Sequence, residues 1–177
     1  MTPSAPLLQM RDIVKTFPGV RALDGVTFDV DAGEVHALVG ENGAGKSTLM
    51  QILSGALAPD AGAMELDGGS YTPKNPLHAR ERGVSIVYQE LSLAPHLTVA
   101  ENILLGQEPG KFGWLDRKEL LSKANQALEG VGHSRLHAEQ LAGKLSPGEQ
   151  QLVEIARALA LDAKVLILDE PTSSLAR

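Results

Sequence analysis

Apolar positions between residues 7 and 40 fall in short runs broken by turn residues. Leu8, Met10 and Ile13 precede the Pro18-Gly19 turn, and Val26-Thr27-Phe28-Asp29-Val30 alternates as a half-buried strand does. Asp31-Ala32-Gly33 then turns into Val35-His36-Ala37-Leu38-Val39, an apolar run that predicts a buried strand. A glycine-rich turn follows and opens a helix carrying Leu49, Ile52 and Leu53, with Gly55 as its stop. Residues 56–83 are rich in Gly, Pro, Asn and Asp and predict one short strand near Met64–Leu66 and a short helix after Pro76. Val84–Tyr88 is the next strand. The pattern is then helical to about residue 160, with helix starts at Thr98 and Glu101 (a capping box), at Asp116 before Glu119, and at Ser146, Pro147 and Glu149. Val165–Leu168 closes the order as a fully buried strand. Strand, helix, strand, helical insert, strand predicts an α/β fold with a mostly parallel sheet. There is no internal repeat.

Composition narrows the class. The 177 residues predict one domain, and 43% hydrophobic content describes a chain able to bury a core. There is no cysteine, which excludes disulfides, thiolate metal sites and cysteine nucleophiles. Sixteen basic residues against 22 acidic give a net charge of −6, and only six residues are aromatic, so no nucleic-acid partner is expected. No apolar run is long enough to cross a membrane and Met1–Ser4 begins no signal peptide, so a cytoplasmic location is expected.

Gly40-Glu41-Asn42-Gly43-Ala44-Gly45-Lys46-Ser47 fits G-x-x-x-x-G-K-[ST], with Thr48 following. The glycines let successive backbone N–H groups face a phosphate, and the positive end of the following helix points at it. Lys46 adds a charge for the outer phosphates, and the Ser47 hydroxyl suits Mg2+. The strand ending in Asp169-Glu170 puts two carboxylates at a sheet's C-terminal edge, where open α/β sheets bind ligands. Asp169 there suits Mg2+, and Glu170 is placed to polarise an attacking water. Together they predict a nucleotide hydrolase site. The five histidines form no metal set: His36 lies in the apolar run, His78 and His96 in loops, and His133 and His137, four apart, have no third ligand.

Leu145-Ser146-Pro147-Gly148-Glu149-Gln150-Gln151, some twenty residues before the acidic pair, and Gln89 after the middle strand complete a constellation. With these motifs the chain, over roughly residues 7–177, resembles ATP-binding cassette (ABC) ATPases. Phe17–Leu23, Gly40–Thr48, Tyr88-Gln89-Glu90-Leu91 and Val153–Leu159 are similar to the first cassette of bacterial ribose, galactose and xylose importers. The resemblance implies a P-loop NTPase core with a mostly parallel sheet, an antiparallel β subdomain and an inserted helical subdomain. It divides one domain into a nucleotide-binding core, about 1–90 and 156–177, and a helical part, about 91–155.

The resemblance also implies roles. Phe17, on its residue type equally a core aromatic, matches the ring that stacks on adenine. Gln89, in isolation more often a polar strand end, matches the glutamine that reaches Mg2+ and the attacking water. Leu145, Ser146, Pro147, Gly148, Glu149 and Gln150 match the signature that contacts ATP held by a second cassette, in the same or a fused chain. Glu170 is the implied base and Ser47, Gln89 and Asp169 the implied Mg2+ set. Transmembrane permease subunits are the implied partners, with a periplasmic sugar-binding protein indirectly, and the site is peripheral on the inner face of the cell membrane.

The chain departs from the family at three places. Pro147 and Glu149 replace the usual glycine and glutamine, so the cross-cassette contact is expected to be weakened, with Glu149 available to cap its helix. After Thr172-Ser173-Ser174-Leu175 the chain reads Ala176-Arg177, without the usual coupling-loop aspartate. The switch histidine and later strands are missing too, so the chain reads as a truncated cassette. The leading expectation is ATP hydrolysis powering sugar import. The alternative is a nucleotide-binding module with little turnover, and, behind both, a nucleoside importer or a soluble non-transport ABC protein.

Overall fold

The first two strands are β1 (Leu8–Phe17) and β2 (Val20–Val30), joined across Pro18-Gly19 and paired antiparallel from Leu8 with Val30 to Phe17 with Val20. Leu8, Met10 and Ile13 are fully buried; the alternation is broken between Met10 and Ile13, where the ladder shifts register at Asp12 (φ +51°) and so returns Ile13 to the inner face. The computed structural model describes residues 5–41, 43–88, 91–111 (Lys111 by its backbone), 114–132 and 136–169. It divides into two compact units, Met1–Val84 and Ser85–Arg177.

In the first unit, α1 (Lys46–Leu53) is followed by β3 (Ala61–Leu66), β4 (Gly69–Ser70) and α2 (Pro76–Glu81). The sheet runs β2-β1-β3-β4, all antiparallel. Leu49, Ile52 and Leu53 bury one face of α1, each contributing about 1.5–3 kcal/mol. Gly55 ends that helix with φ +75°, where a Cβ would lie 2.7 Å from the Asn75 carbonyl oxygen. Tyr71 is fully buried, and its hydroxyl donates to the Leu53 carbonyl at 2.7 Å, satisfying one of the acceptors a helix end leaves open. Burial pushes that hydroxyl's pKa up to about 12. Asn75 caps α2 through its side chain, which accepts from the His78 N–H at 2.8 Å.

The buried strand expected over Val35–Val39 does not form among the described residues. Residues 34–40 have no ladder, and Val35 and Val39 are 97% and 89% exposed. Strand formation depends on partners more than on β-propensity, and among the described residues the four strands of this unit's sheet pair only with one another. His36 instead donates from Nδ1 to Glu34 Oε1, 3.0 Å away, and lies against the Phe28 ring.

The second unit is mainly helical. Around β5 (Val84–Val87) and β8 (Val165–Leu168), hydrogen-bonded neighbours in a two-stranded sheet, come α3 (Val99–Ile103), the hairpin β6 (Gly110–Lys111) and β7 (Trp114–Leu115), α4 (Arg117–Gly130), a 3-10 turn η1 (Ala142–Lys144) and α5 (Pro147–Ala160). The three expected helix starts are present. Thr98–Glu101 and Ser146–Glu149 form capping boxes, and Asp116 accepts from the Glu119 N–H at 3.0 Å. Helices α3, α4 and α5 share one core that includes Val99, Ile103, Leu120, Leu128 and Val153. β8 is less covered than its apolar run predicts: Ile167 is buried but Leu168 is exposed, because among the described residues β5 is its only ladder neighbour. No helix among the described residues is long and apolar enough to cross a membrane.

Candidate functional site

The first unit holds the glycine-rich turn. The Ala44 N–H donates to the Glu41 carbonyl at 3.1 Å, and Gly43 and Gly45 both take left-handed φ, +83° and +89°. Gly45 is also the N-cap of α1, and the Leu49 N–H donates back to its carbonyl at 2.9 Å to begin the helix. Two constraints demand glycine at Gly45: the sign of φ, and a Cβ that would sit 2.5 Å from the Ala22 carbonyl oxygen of β2. Lys46 folds back across the loop, its Nζ donating to the carbonyls of Gly40 at 2.6 Å and Glu41 at 2.8 Å. Ser47, in the first turn, is exposed and Thr48 half-buried. That turn has no acidic residue, so the positive end of α1 is uncompensated and suits an anion. Asn42 lies outside the described residues.

Phe17 ends β1 with 36% of its surface exposed, so it is not a core aromatic. The Lys15 ammonium lies 5.9 Å from its ring centroid and pairs with Asp60 Oδ1 at 2.7 Å. That hydrogen bond, then the Thr16 N–H, holds the Asp60 carboxyl below its ordinary pKa.

In the second unit the Asp169 N–H donates to the Val87 carbonyl at 3.0 Å, so the C-terminal ends of β8 and β5 lie side by side. Gln89 and Glu170, next along from those two ends, are outside the described residues, as are Glu90, His133 and 171–177 with Thr172–Leu175. Asp169 itself is half-buried. The signature segment is fully described. Leu145 is buried, Ser146 is the N-cap of α5 and Pro147 takes its first position. Gly148 follows in the first turn. Glu149 turns back, its Oε2 accepting from the Ser146 N–H at 2.8 Å and hydroxyl at 2.7 Å, as the capping expectation required. Gln150 Nε2 donates to the carbonyls of Ala142 and Leu145, both at 3.2 Å. Unlike α1, α5 carries an acid at its positive end.

Among the buried polar side chains, Asn102, fully buried, and Glu154, 7% exposed, escape the sequence reading. The available signal was Glu154's place inside the apolar run Leu152–Ala156. No cluster of three or more His, Asp or Glu that could hold a metal occurs among the described residues.

A glycine loop with left-handed backbone at Gly43 and Gly45, at the head of α1 and in one unit with an antiparallel sheet, is the phosphate-binding turn of a P-loop NTPase. Residues 23–173 match the family described as ABC transporter, and the chain belongs to that family. It is 52% identical over 170 residues to a ribose import ATP-binding protein of Rubrobacter xylanophilus, covering 96% of this chain and 34% of that protein. It is 48% identical over 172 residues to an arabinose import ATP-binding protein of Chromohalobacter salexigens, covering 97% of this chain and 35% of that protein. The chain thus spans about a third of the length of these relatives. Among solved structures it is similar to an ATP-binding cassette of an ABC transporter in its ADP conformation, with TM-score 0.83, 33% identity, and 98% and 72% of the two chains covered. A nucleotide-free cassette from an ABC transporter gives TM-score 0.81 and 34% identity, covering 97% and 71%.

Proposed function

We propose that these residues form one ATP-binding cassette, with a core over about 1–90 and 156–177 and a helical part over about 91–155, that hydrolyses ATP to power sugar import. The observation that carries the reading is the Gly43–Gly45–Lys46 turn at an uncompensated helix end. The import names borne by the relatives support the sugar.

Phe17 stacks on adenine while Gly40, Glu41, Asn42, Gly43, Ala44, Gly45, Ser47 and Thr48 surround the phosphates. Lys46 exchanges its two carbonyl partners for outer phosphate oxygens, a swap favoured because bonds to a charged acceptor are worth about 1.5–3 kcal/mol each. Glu170 accepts the proton of the water that attacks the γ-phosphorus, and the bond from that phosphorus to the ADP oxygen breaks. Gln89 orients the water. Ser47, Gln89 and Asp169 offer only hard oxygen donors, the chemistry that suits magnesium, which when bound neutralises phosphate charge. The signature, Leu145–Gln150, meets nucleotide held by a second cassette, and permease subunits place the assembly on the cytoplasmic face, with a periplasmic sugar-binding protein upstream.

The test uses the full-length protein. Lys46→Ala should abolish ATP binding, measured by titration with a fluorescent ATP analogue. Glu170→Gln should bind ATP normally and release phosphate very slowly. Unchanged affinity in the first would remove the phosphate-loop argument; binding without phosphate release in the unsubstituted protein would favour a nucleotide-binding module.

A further inference from the structure

Ser92 stands three residues after Gln89, and Glu154 stands eight after Ser146. Within the second unit they meet: Glu154 Oε1 accepts the Ser92 N–H at 2.6 Å and the Ser92 hydroxyl at 2.8 Å. The segment from Ser92 onward is then fastened along its length. Asn102 Oδ1 accepts the Ala94 N–H at 2.8 Å, and its Nδ2 donates to the Ala94 and Thr98 carbonyls at 3.1 and 2.9 Å. The turn that leads into the signature supplies the other side. Gly143 N–H donates to the Pro95 carbonyl at 2.9 Å and Ala142 N–H to the Leu97 carbonyl at 3.0 Å, while Val99 N–H donates to the Gln140 carbonyl at 2.8 Å. Gly143 is needed for this approach, since a Cβ there would lie 2.8 Å from the Pro95 carbonyl oxygen. Gln150 closes the circuit by holding η1 against α5.

Packing alone does not call for a carboxylate at Glu154, because its neighbours Val153 and Ala156 already fill the core. A buried carboxylate is tolerated only while hydrogen-bonded, so the pair penalises any displacement of Ser92 far more steeply than an apolar contact would. Buried polar pairs of this kind specify position more than they stabilise.

We propose that Glu154 is a positioning residue that bolts the segment beginning at Ser92, three residues after Gln89, to the signature helix, so that a displacement of Ser92 is carried to α5 and its N-cap Ser146. This rests on the reading of Gln89 and the signature given above.

The test compares Glu154→Ala and Glu154→Gln in the full-length protein, reading steady-state ATP hydrolysis and amide hydrogen exchange of residues 91–97. In Glu154→Ala, kcat should fall about tenfold with KM for ATP unchanged, and exchange at Ser92 should quicken by about the same factor. Glu154→Gln, which keeps an acceptor oxygen, should restore most of kcat. Unaltered exchange and kcat in Glu154→Ala would overturn the proposal, as would a loss that Glu154→Gln fails to rescue. Should Glu154→Ala not fold, Ser92→Ala decides: it removes one of the two hydrogen bonds at an exposed residue, and a lowered kcat at constant KM supports the bolt while an unchanged kcat overturns it. Failure of the ATPase reading shows separately, as absence of phosphate release from the unsubstituted protein, and Ser92 exchange in Glu154→Ala then judges the bolt alone.

Discussion

The Ser146 hydroxyl donates to Glu149 Oε2 at 2.7 Å, so the single proton of the signature serine is committed to a carboxylate on its own helix. The same carboxylate places negative charge at the positive end of α5. On the proposed reading, a phosphate presented by a second cassette competes with Glu149 for that proton. Glu149→Ala should lower folding stability by about 1 kcal/mol through loss of the cap, a fall in Tm of about 2–4 °C. It should also strengthen ATP-driven association of two cassettes by about three- to tenfold. Thermal unfolding reads the first effect and analytical ultracentrifugation in a Glu170→Gln background the second. Weaker association of the variant would show that the carboxylate is not a competitor.

Phe17 ends its strand partly exposed, with the Lys15 ammonium 5.9 Å from the ring. With only 36% of its surface exposed, the ring still covers apolar neighbours, so Phe17→Ala should cost about 1–2 kcal/mol of stability. Stacking of a base on an aromatic ring contributes about 1–3 kcal/mol, so adenine nucleotide affinity should fall roughly 5- to 150-fold, with Phe17→Trp near the original value. Isothermal titration with ATP measures this. Unchanged affinity alongside a large loss of stability would return Phe17 to a packing role.

The Thr98 backbone N–H, then its hydroxyl, holds the Glu101 carboxyl below its ordinary 4.5. A depressed folded-state pKa means that the unfolded chain takes up the proton first as pH falls. The contribution of Glu101 is therefore complete above its unfolded value and disappears as pH drops through the folded one. Glu101→Gln should be less stable than the parent at pH 7, and the difference should narrow as pH falls below 4.5 and through the depressed folded-state value. Glu34 and Asp60 are also held low and shape the acid limb of both proteins, so the quantity to measure is the difference in urea midpoints. A gap that stays constant with pH would contradict the assignment.

What the sequence makes legible is what short spans decide. The capping boxes at Thr98 and Ser146, the turn at Pro18-Gly19 and the stop at Gly55 each depend on residues within a few positions of one another, and all are present. The glycine turn was legible for the same reason. Val35–Val39 was misread because an apolar run reports burial only if a ladder partner arrives, and none does among the described residues. Glu154 was missed because its partner lies 62 residues away, a separation that periodicity cannot carry. Gln89 and Glu170 lie outside the described residues, so their roles rest on motif and family.

Gly43 and Gly45 separate two reasons for needing glycine. Both have left-handed φ, but a Cβ on Gly43 meets nothing within 4 Å, whereas one on Gly45 would lie 2.5 Å from the Ala22 carbonyl oxygen and 2.8 Å from Leu23 Cδ2. Gly43→Ala should therefore cost about 1–2 kcal/mol, the backbone penalty alone. Gly45→Ala adds a clash with backbone that cannot swing aside, which should bring the total to about 3 kcal/mol or more and move β2 from the head of α1. Urea unfolding of the two variants measures the difference. ATP titration extends it, because Gly43→Ala leaves the start of α1 intact and should retain weakened binding, while Gly45→Ala should lose it. Equal losses of stability in the two variants would mean that conformation alone, without the contact to Ala22, sets the need for glycine.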